Sequence, residues 1–140
     1  MLMKKLAISL LMPISMLLSL SLSAQNYIGI HKDEIVKRLP KEYKGFFYEK
    51  EVRVDDRGFI KFVNTLDEQT VLCMIDSKGV CTAVSRMYNT WLYDEVVNEL
   101  NSKFQPYGKN KWLEDIDGRK FTYTLIKGKW FLTITIRSQK

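Results

Sequence analysis

Runs of alternating apolar and polar residues, separated by short turns rich in aspartate and glycine, occupy most of the chain after residue 26. Alternation with a period of two is typical of strands that bury one face. The turn signals are Asp55-Asp56-Arg57-Gly58, Asp76-Ser77-Lys78-Gly79, Asp115-Ile116-Asp117-Gly118 and Lys127-Gly128. They favour hairpins. The pattern predicts strands at about Phe46–Val54, Phe59–Thr65, Thr70–Ile75, Val80–Tyr88, Lys111–Glu114, Lys120–Ile126 and Trp130–Arg137.

A short helix is predicted before the first strand, from about Lys32 to Leu39. Acidic residues lie in its first turn and basic residues in its last, as the helix dipole prefers. His31 is placed to cap the N-terminus, and Pro40 is expected to end the helix.

A second helix is predicted from about Thr90 to Phe104, because its apolar residues recur every four positions while polar residues fill the other side. Asn89 or Thr90 can cap its start. Pro106 and Gly108 follow its end.

The order of these elements is αββββαβββ, which favours an α+β fold. We expect a single antiparallel sheet of about seven strands with two helices on one face. Two unequal copies of a helix-plus-meander unit would give the same order, although no residue-level repeat is evident.

The last hairpin indicates which side of the sheet the helices leave uncovered. A two-residue loop at Lys127-Gly128 would pair Leu125 with Trp130 and Tyr123 with Leu132, which puts the apolar residues of both strands on one side. The opposite side is wettable, and we interpret it as a partner-contact face. Its residues are Thr122, Thr124, Phe131, Thr133 and Thr135.

Residues 1–24 match the three-part pattern of a secretory signal peptide. Lys4 and Lys5 precede an uncharged apolar stretch from Leu6 to Leu22, and small residues follow. We expect cleavage after Ala24, with cleavage after Ser23 or an uncut membrane anchor as alternatives, and a single domain over residues 25–140. Since no cysteine lies near the cut, the mature protein is expected to be periplasmic or secreted, soluble and not lipid-anchored.

The net charge argues against a nucleic-acid partner. Loss of Lys4 and Lys5 with the leader lowers the formal charge from +6 to +4, which is modest for a domain of this size. We therefore expect no nucleic-acid binding and, after cleavage, no membrane span.

No residue pattern carries a recognisable catalytic or metal site. His31 is the only histidine, whereas a triad needs a base beside a nucleophile and a catalytic zinc needs several ligands. Asp115 and Asp117 resemble part of a calcium loop, but turn chemistry explains them. We interpret four neighbouring carboxylates as surface charges, those of Glu49, Glu51, Asp55 and Asp56. We assign no catalytic, cofactor-binding or metal-binding residue and expect no cofactor.

The two cysteines, Cys73 and Cys81, flank the Asp76–Gly79 turn. A two-residue loop sends their sulfurs to opposite faces, and a type I turn with a bulge at Gly79 places them on one face but diagonally. Because a disulfide needs close α-carbons, we expect two buried thiols and keep the disulfide as a disfavoured alternative.

The run Ile28-Gly29-Ile30-His31-Lys32-Asp33-Glu34-Ile35-Val36-Lys37-Arg38-Leu39-Pro40 resembles the short helix that opens small envelope proteins of the SmpA/OmlA and β-lactamase-inhibitor-protein type. The chain departs from that pattern in having no lipid-attachment cysteine and in having Pro40 directly after Leu39, where a glycine is usual. The resemblance implies a non-catalytic binder in the envelope, and it carries over no functional residue.

These observations favour a non-enzymatic exported protein that binds a protein or envelope partner through the open sheet face. Two other classes stay open, a small hydrolase using carboxylates and a structural envelope subunit. The sequence leaves the partner and the oligomeric state undetermined.

Overall fold

In a computed structural model that describes residues 27–139, the chain forms one antiparallel sheet of eight strands with two α-helices. The elements in chain order are α1 (Lys32–Glu42), β1 (Phe47–Val54), β2 (Arg57–Asn64), β3 (Gln69–Ile75), β4 (Cys81–Asn89), α2 (Tyr93–Lys103), β5 (Gln105–Pro106), β6 (Lys111–Ile116), β7 (Arg119–Lys127) and β8 (Phe131–Ser138). The strand order across the sheet is β1-β2-β3-β4-β8-β7-β6-β5. The predicted leader lies outside the described residues.

The predicted α+β class is confirmed, but the strand count of about seven and the order αββββαβββ are wrong by one strand. The extra strand is β5, whose two residues pair with Leu113 and Trp112 of β6. A strand of two residues that includes a proline carries no alternation, so the hydrophobic pattern could not reveal it. The observed order is αββββαββββ, two halves of equal element count that meet where β4 pairs with β8.

Both helices bury their apolar residues in the same core cluster. Ile35 and Leu39 of α1 and Val96 and Leu100 of α2 are buried there with alternate residues of the strands. The side chains that the sheet contributes to this cluster include Ile60, Phe62, Cys73, Val84, Tyr123, Leu132, Ile134 and Ile136. One side of the sheet is therefore covered by α1 and α2.

Helix α1 begins as predicted and ends later than predicted. His31 is its N-cap, and the His31 Nδ1 atom accepts a hydrogen bond from the Asp33 backbone N–H at 3.2 Å. Pro40 lies inside the helix rather than stopping it. Glu42, in the last turn, accepts hydrogen bonds from Arg38 one turn earlier and from the Tyr27 hydroxyl, and the contact with Tyr27 is one that the helix sequence does not reveal.

Helix α2 is shorter than predicted at its start, where a 3₁₀ turn spans Thr90–Leu92. Neither Asn89 nor Thr90 caps the helix. Asn89 donates to the Glu68 carboxylate at 2.8 Å, and the Thr90 hydroxyl donates to the Trp130 carbonyl at 3.0 Å. Because their side chains bond to residues distant in the chain, Asn89 and Thr90 do not cap α2 as their local preference would predict.

The last hairpin has a longer loop than predicted. Leu125 pairs with Ile134 and Lys127 with Leu132, so Trp130 lies in the loop and is 68% exposed. The register moves by an even number of residues, and an even shift keeps every side chain on its face. The predicted faces of β7 and β8 are therefore right although the predicted pairing is wrong.

Candidate binding face

The side of the sheet opposite the helices, here called the open face, carries apolar and aromatic side chains without a covering layer among residues 27–139. They alternate along the strands with the buried residues of the covered side. The most exposed are Val54 at 69%, Phe47 at 67%, Ile126 at 61% and Phe131 at 51%. Half-buried members of the same face are Val52, Phe59, Val63, Leu72, Met74 and Met87.

The five residues predicted as the partner-contact face lie together on β7 and β8 of the open face. Thr124 is opposite Thr135, and the Thr135 hydroxyl is hydrogen-bonded to the Ser85 hydroxyl at 3.1 Å. The four threonines, Thr122, Thr124, Thr133 and Thr135, are half-buried, and Phe131 is exposed. β-branched side chains suit the pleated surface, while their hydroxyls tolerate water.

The predicted face is only the β7–β8 part of the open face, because the sequence reasoning missed its continuation across β1 to β4. Alternation in β2 was the available signal, since Ile60 and Phe62 are buried while Phe59 and Val63 are half-buried on the other side. At the start of β1, Phe46 is buried whereas Phe47 is exposed, as the adjacency of aromatic residues there required.

Cations outnumber carboxylates on the open face. Lys61 pairs with Glu49 across 3.4 Å, and Lys120 lies opposite Asp115 in the register of β6 and β7. The remaining cations of this face are Lys50, Arg57, Lys111 and Arg137. Such a surface attracts groups of opposite charge.

Cys73 and Cys81 are free, fully buried thiols on the covered side. Gly79 has a φ of +82°, and Ile75 pairs with Cys81, so both sulfurs point to the same face. A hydrogen bond with the Cys81 thiol, and then burial, raises the pKa of the Cys73 thiol well above its ordinary value. A buried thiol of raised pKa is a poor nucleophile, so Cys73 is not set up as a catalytic thiol.

A buried arginine that the sequence reasoning did not single out lies on the covered side. The Arg86 guanidinium is 5.3 to 5.5 Å from the ring centres of Tyr43, Phe46 and Tyr88, and it donates to Gln69 at 3.3 Å. Burial raises the pKa of Tyr88 to about 12, although the Arg86 charge lowers it. Since Arg86 is only 6% exposed, its charge lies within the core and its contacts are with core residues.

The carboxylates considered for hydrolysis do not converge. Glu49 pairs with Lys61 on the open face, whereas Glu51 accepts hydrogen bonds from Lys32 at 2.7 Å and Arg53 at 2.9 Å on the other side. The bonds from Lys32 and Arg53 lower the pKa of Glu51, which is the wrong direction for a general acid. Asp55 and Asp56 are exposed turn residues.

A different carboxyl, Glu114, does have a raised pKa, caused mainly by burial, and it accepts a hydrogen bond from Tyr123 at 2.7 Å. Sequence reasoning missed it because the partner is on the neighbouring strand.

The carboxylates of Asp76 and Asp115 accept hydrogen bonds from backbone N–H groups of their own turns. The Asp115 carboxylate accepts from the Gly118 N–H at 2.9 Å, and Asp76 accepts from the N–H groups of Lys78 and Val80. Within the described part of the chain, no three His, Cys, Asp or Glu side chains are grouped to hold a metal ion. His31 serves as a helix cap beside Asp33.

No family model, curated protein or solved structure matches this chain. Between residues 27 and 139, no helix is long and apolar enough to cross a membrane.

Proposed function

We propose that this chain is an exported, non-enzymatic binding module that contacts a protein partner of the bacterial envelope through the open face. The observation that carries the proposal is the sheet face left uncovered among residues 27–139, on which Phe47, Val54, Ile126 and Phe131 are more than half exposed. Exposed apolar surface is common at interaction sites, and aromatic residues are common anchors in them.

The shape of the fold also supports binding over catalysis. Both helices are on the covered side, and strand pairing holds the backbone of the open face in a defined arrangement. A preformed surface loses little conformational entropy on association. The resemblance of residues 28–40 to small envelope binders, and the leader predicted at residues 1–24, agree with an envelope location.

The proposal is tested by replacing Phe131 with the photo-crosslinking amino acid benzoylphenylalanine and irradiating the protein in envelope extract. Asn98 provides the matched control, since it is exposed on α2, which covers the opposite side of the sheet. We expect a discrete adduct from position 131 that excess unlabelled protein prevents and that position 98 does not give. The same adducts from both positions, or none that competitor removes, would contradict the proposal.

A further inference from the structure

One end of the open face contains a hollow where β2, β3, β4 and β8 come together. Its volume is about 440 Å³, and its lining includes Arg57, Met74, Thr82 and Arg137. Met74 and Arg137 are both neighbours of Ala83 in the register. The lining thus combines an apolar side chain, an exposed hydroxyl and two guanidinium groups.

These two guanidiniums differ from the other arginines of the chain. Arg38 pairs with Glu34 and Glu42, and Arg53 pairs with Glu51. Arg86 and Arg119 lie over aromatic rings. Within the part of the chain that the structure describes, the side chains of Arg57 and Arg137 have no ion pair, hydrogen bond or aromatic contact, and both border the same hollow.

A second hollow lies between α1 and β1, and two of the charged groups in its lining form an ion pair. Its volume is about 460 Å³, and its lining includes Lys32 and Glu51. Those two charges neutralise each other, with a distance of 2.7 Å between Nζ and Oε1. Lys37 also borders this second hollow, but the hollow at the end of the open face is bordered by two guanidiniums, which have paired N–H donors and no ion pair.

We propose that this hollow receives a carboxylate of an acidic segment of the protein partner, held by Arg57 and Arg137. This inference rests on the proposed function. A guanidinium presents paired N–H donors that match the two oxygens of a carboxylate. The Met74 side chain offers an apolar contact to the methylene groups of the acidic side chain that carries this carboxylate. Asp76, also in the lining, is ionised because hydrogen bonds from the backbone of Val80 and Lys78 lower its pKa. That charge disfavours a doubly charged phosphate more than a carboxylate.

The test is an NMR titration of the arginine Nε–Hε signals of the full chain, at low salt, with a tetra-aspartate peptide as the probe. We expect saturable shifts of the Arg57 and Arg137 signals and none of the Arg53 signal, since Arg53 is already paired with Glu51. Arg57→Gln and Arg137→Gln should each weaken peptide binding about two- to fivefold, as expected for exposed charge pairs. Arg119→Gln, which removes the same charge elsewhere, should leave it unchanged.

Three outcomes would overturn the inference: unmoved signals, equal shifts with inorganic phosphate, or saturation by anionic phospholipid vesicles instead of the peptide. Crosslinking from position 131 separates this failure from failure of the proposed function. An undiminished adduct in the Arg57→Gln/Arg137→Gln double variant contradicts only the carboxylate site. An adduct that weakens in the double variant but not in Arg119→Gln supports it.

Discussion

At the scale of single residues, the most unusual group is the buried cation Arg86. A charge with 6% exposure normally requires a carboxylate partner, yet Arg86 has an amide and three aromatic rings. The ring faces supply negative electrostatic potential, and the planar guanidinium can lie over them. Its Nε and the Tyr88 hydroxyl have no hydrogen-bond partner in the described structure. The site therefore combines aromatic stabilisation with an uncompensated desolvation cost.

Replacing Arg86 separates these contributions. Arg86→Lys keeps the buried charge but loses the planar stacking, and we expect it to lower the free energy of unfolding by about 1–3 kcal/mol. Arg86→Met removes the charge and keeps most of the volume, so we expect a loss of under about 1 kcal/mol. Urea unfolding measures both. The same changes at the exposed Arg119 serve as controls, and a larger loss for Arg86→Met than for Arg86→Lys would refute this account.

At the scale of elements, the connection from α1 to β1 packs against the turn between β2 and β3. Gly45 has a φ of +93° and lies against Asn64, which is 4% exposed. The Asn64 amide accepts from the Asp67 N–H and donates to the Asp67 carboxylate, both at 3.1 Å. A Cβ at position 45 would be 2.8 Å from Asn64 Nδ2. Glycine is thus required by backbone conformation and by space.

The chain offers a matched pair to separate these two requirements. Gly29 has a φ of +94°, and a Cβ added there would meet nothing within 4 Å. Gly29→Ala should cost about 1–2 kcal/mol for the left-handed backbone alone. Gly45→Ala should cost about 1 kcal/mol more, because Asn64 must move. Thermal unfolding compares them, and equal losses would show that the contact with Asn64 does not matter.

At the scale of the whole molecule, stability depends on the seam between the two αββββ halves. Strands β4 and β8 pair over seven residue pairs, from Ala83 with Arg137 to Asn89 with Phe131. Ile134 of β8 lies opposite both Arg86 and Leu125 and is fully buried. Without the seam, each half would expose a long strand edge, so we expect the halves to unfold together.

Truncation at the seam should destabilise both halves equally. Ile134→Ala is expected to cost about 2–5 kcal/mol, whereas Ile126→Ala, at an exposed open-face position, should cost under about 0.5 kcal/mol. All three tryptophans lie in the second half, so fluorescence reports that half, while labelling of Cys73 and Cys81 reports the first. We expect the unfolding midpoints measured by fluorescence and by cysteine labelling to coincide, both in wild type and in Ile134→Ala. Two separate midpoints would mean that the halves are independent.

The candidate site was predictable only in part. Alternation assigned the β7–β8 threonines and Phe131 to the side away from the apolar core, and an even register error left that assignment intact. Nothing in the chain near Arg57 or Arg137 indicates that they border one hollow, because they are on strands separated in the sheet by β3 and β4. The absence of an ion pair at both guanidiniums is visible only in the tertiary structure.

The sequence by itself determined which segments become helices and strands and which side of most strands is apolar, because these depend on periods of two and 3.6 residues within one segment. The tertiary structure decided the eighth strand, the hairpin register, the persistence of α1 through Pro40 and the failure of Asn89 and Thr90 to cap α2. Each of those features depends on pairing or hydrogen bonds between segments rather than on the periodicity within one segment. Such contacts are chosen by the free energy of the whole fold, which local propensity cannot supply.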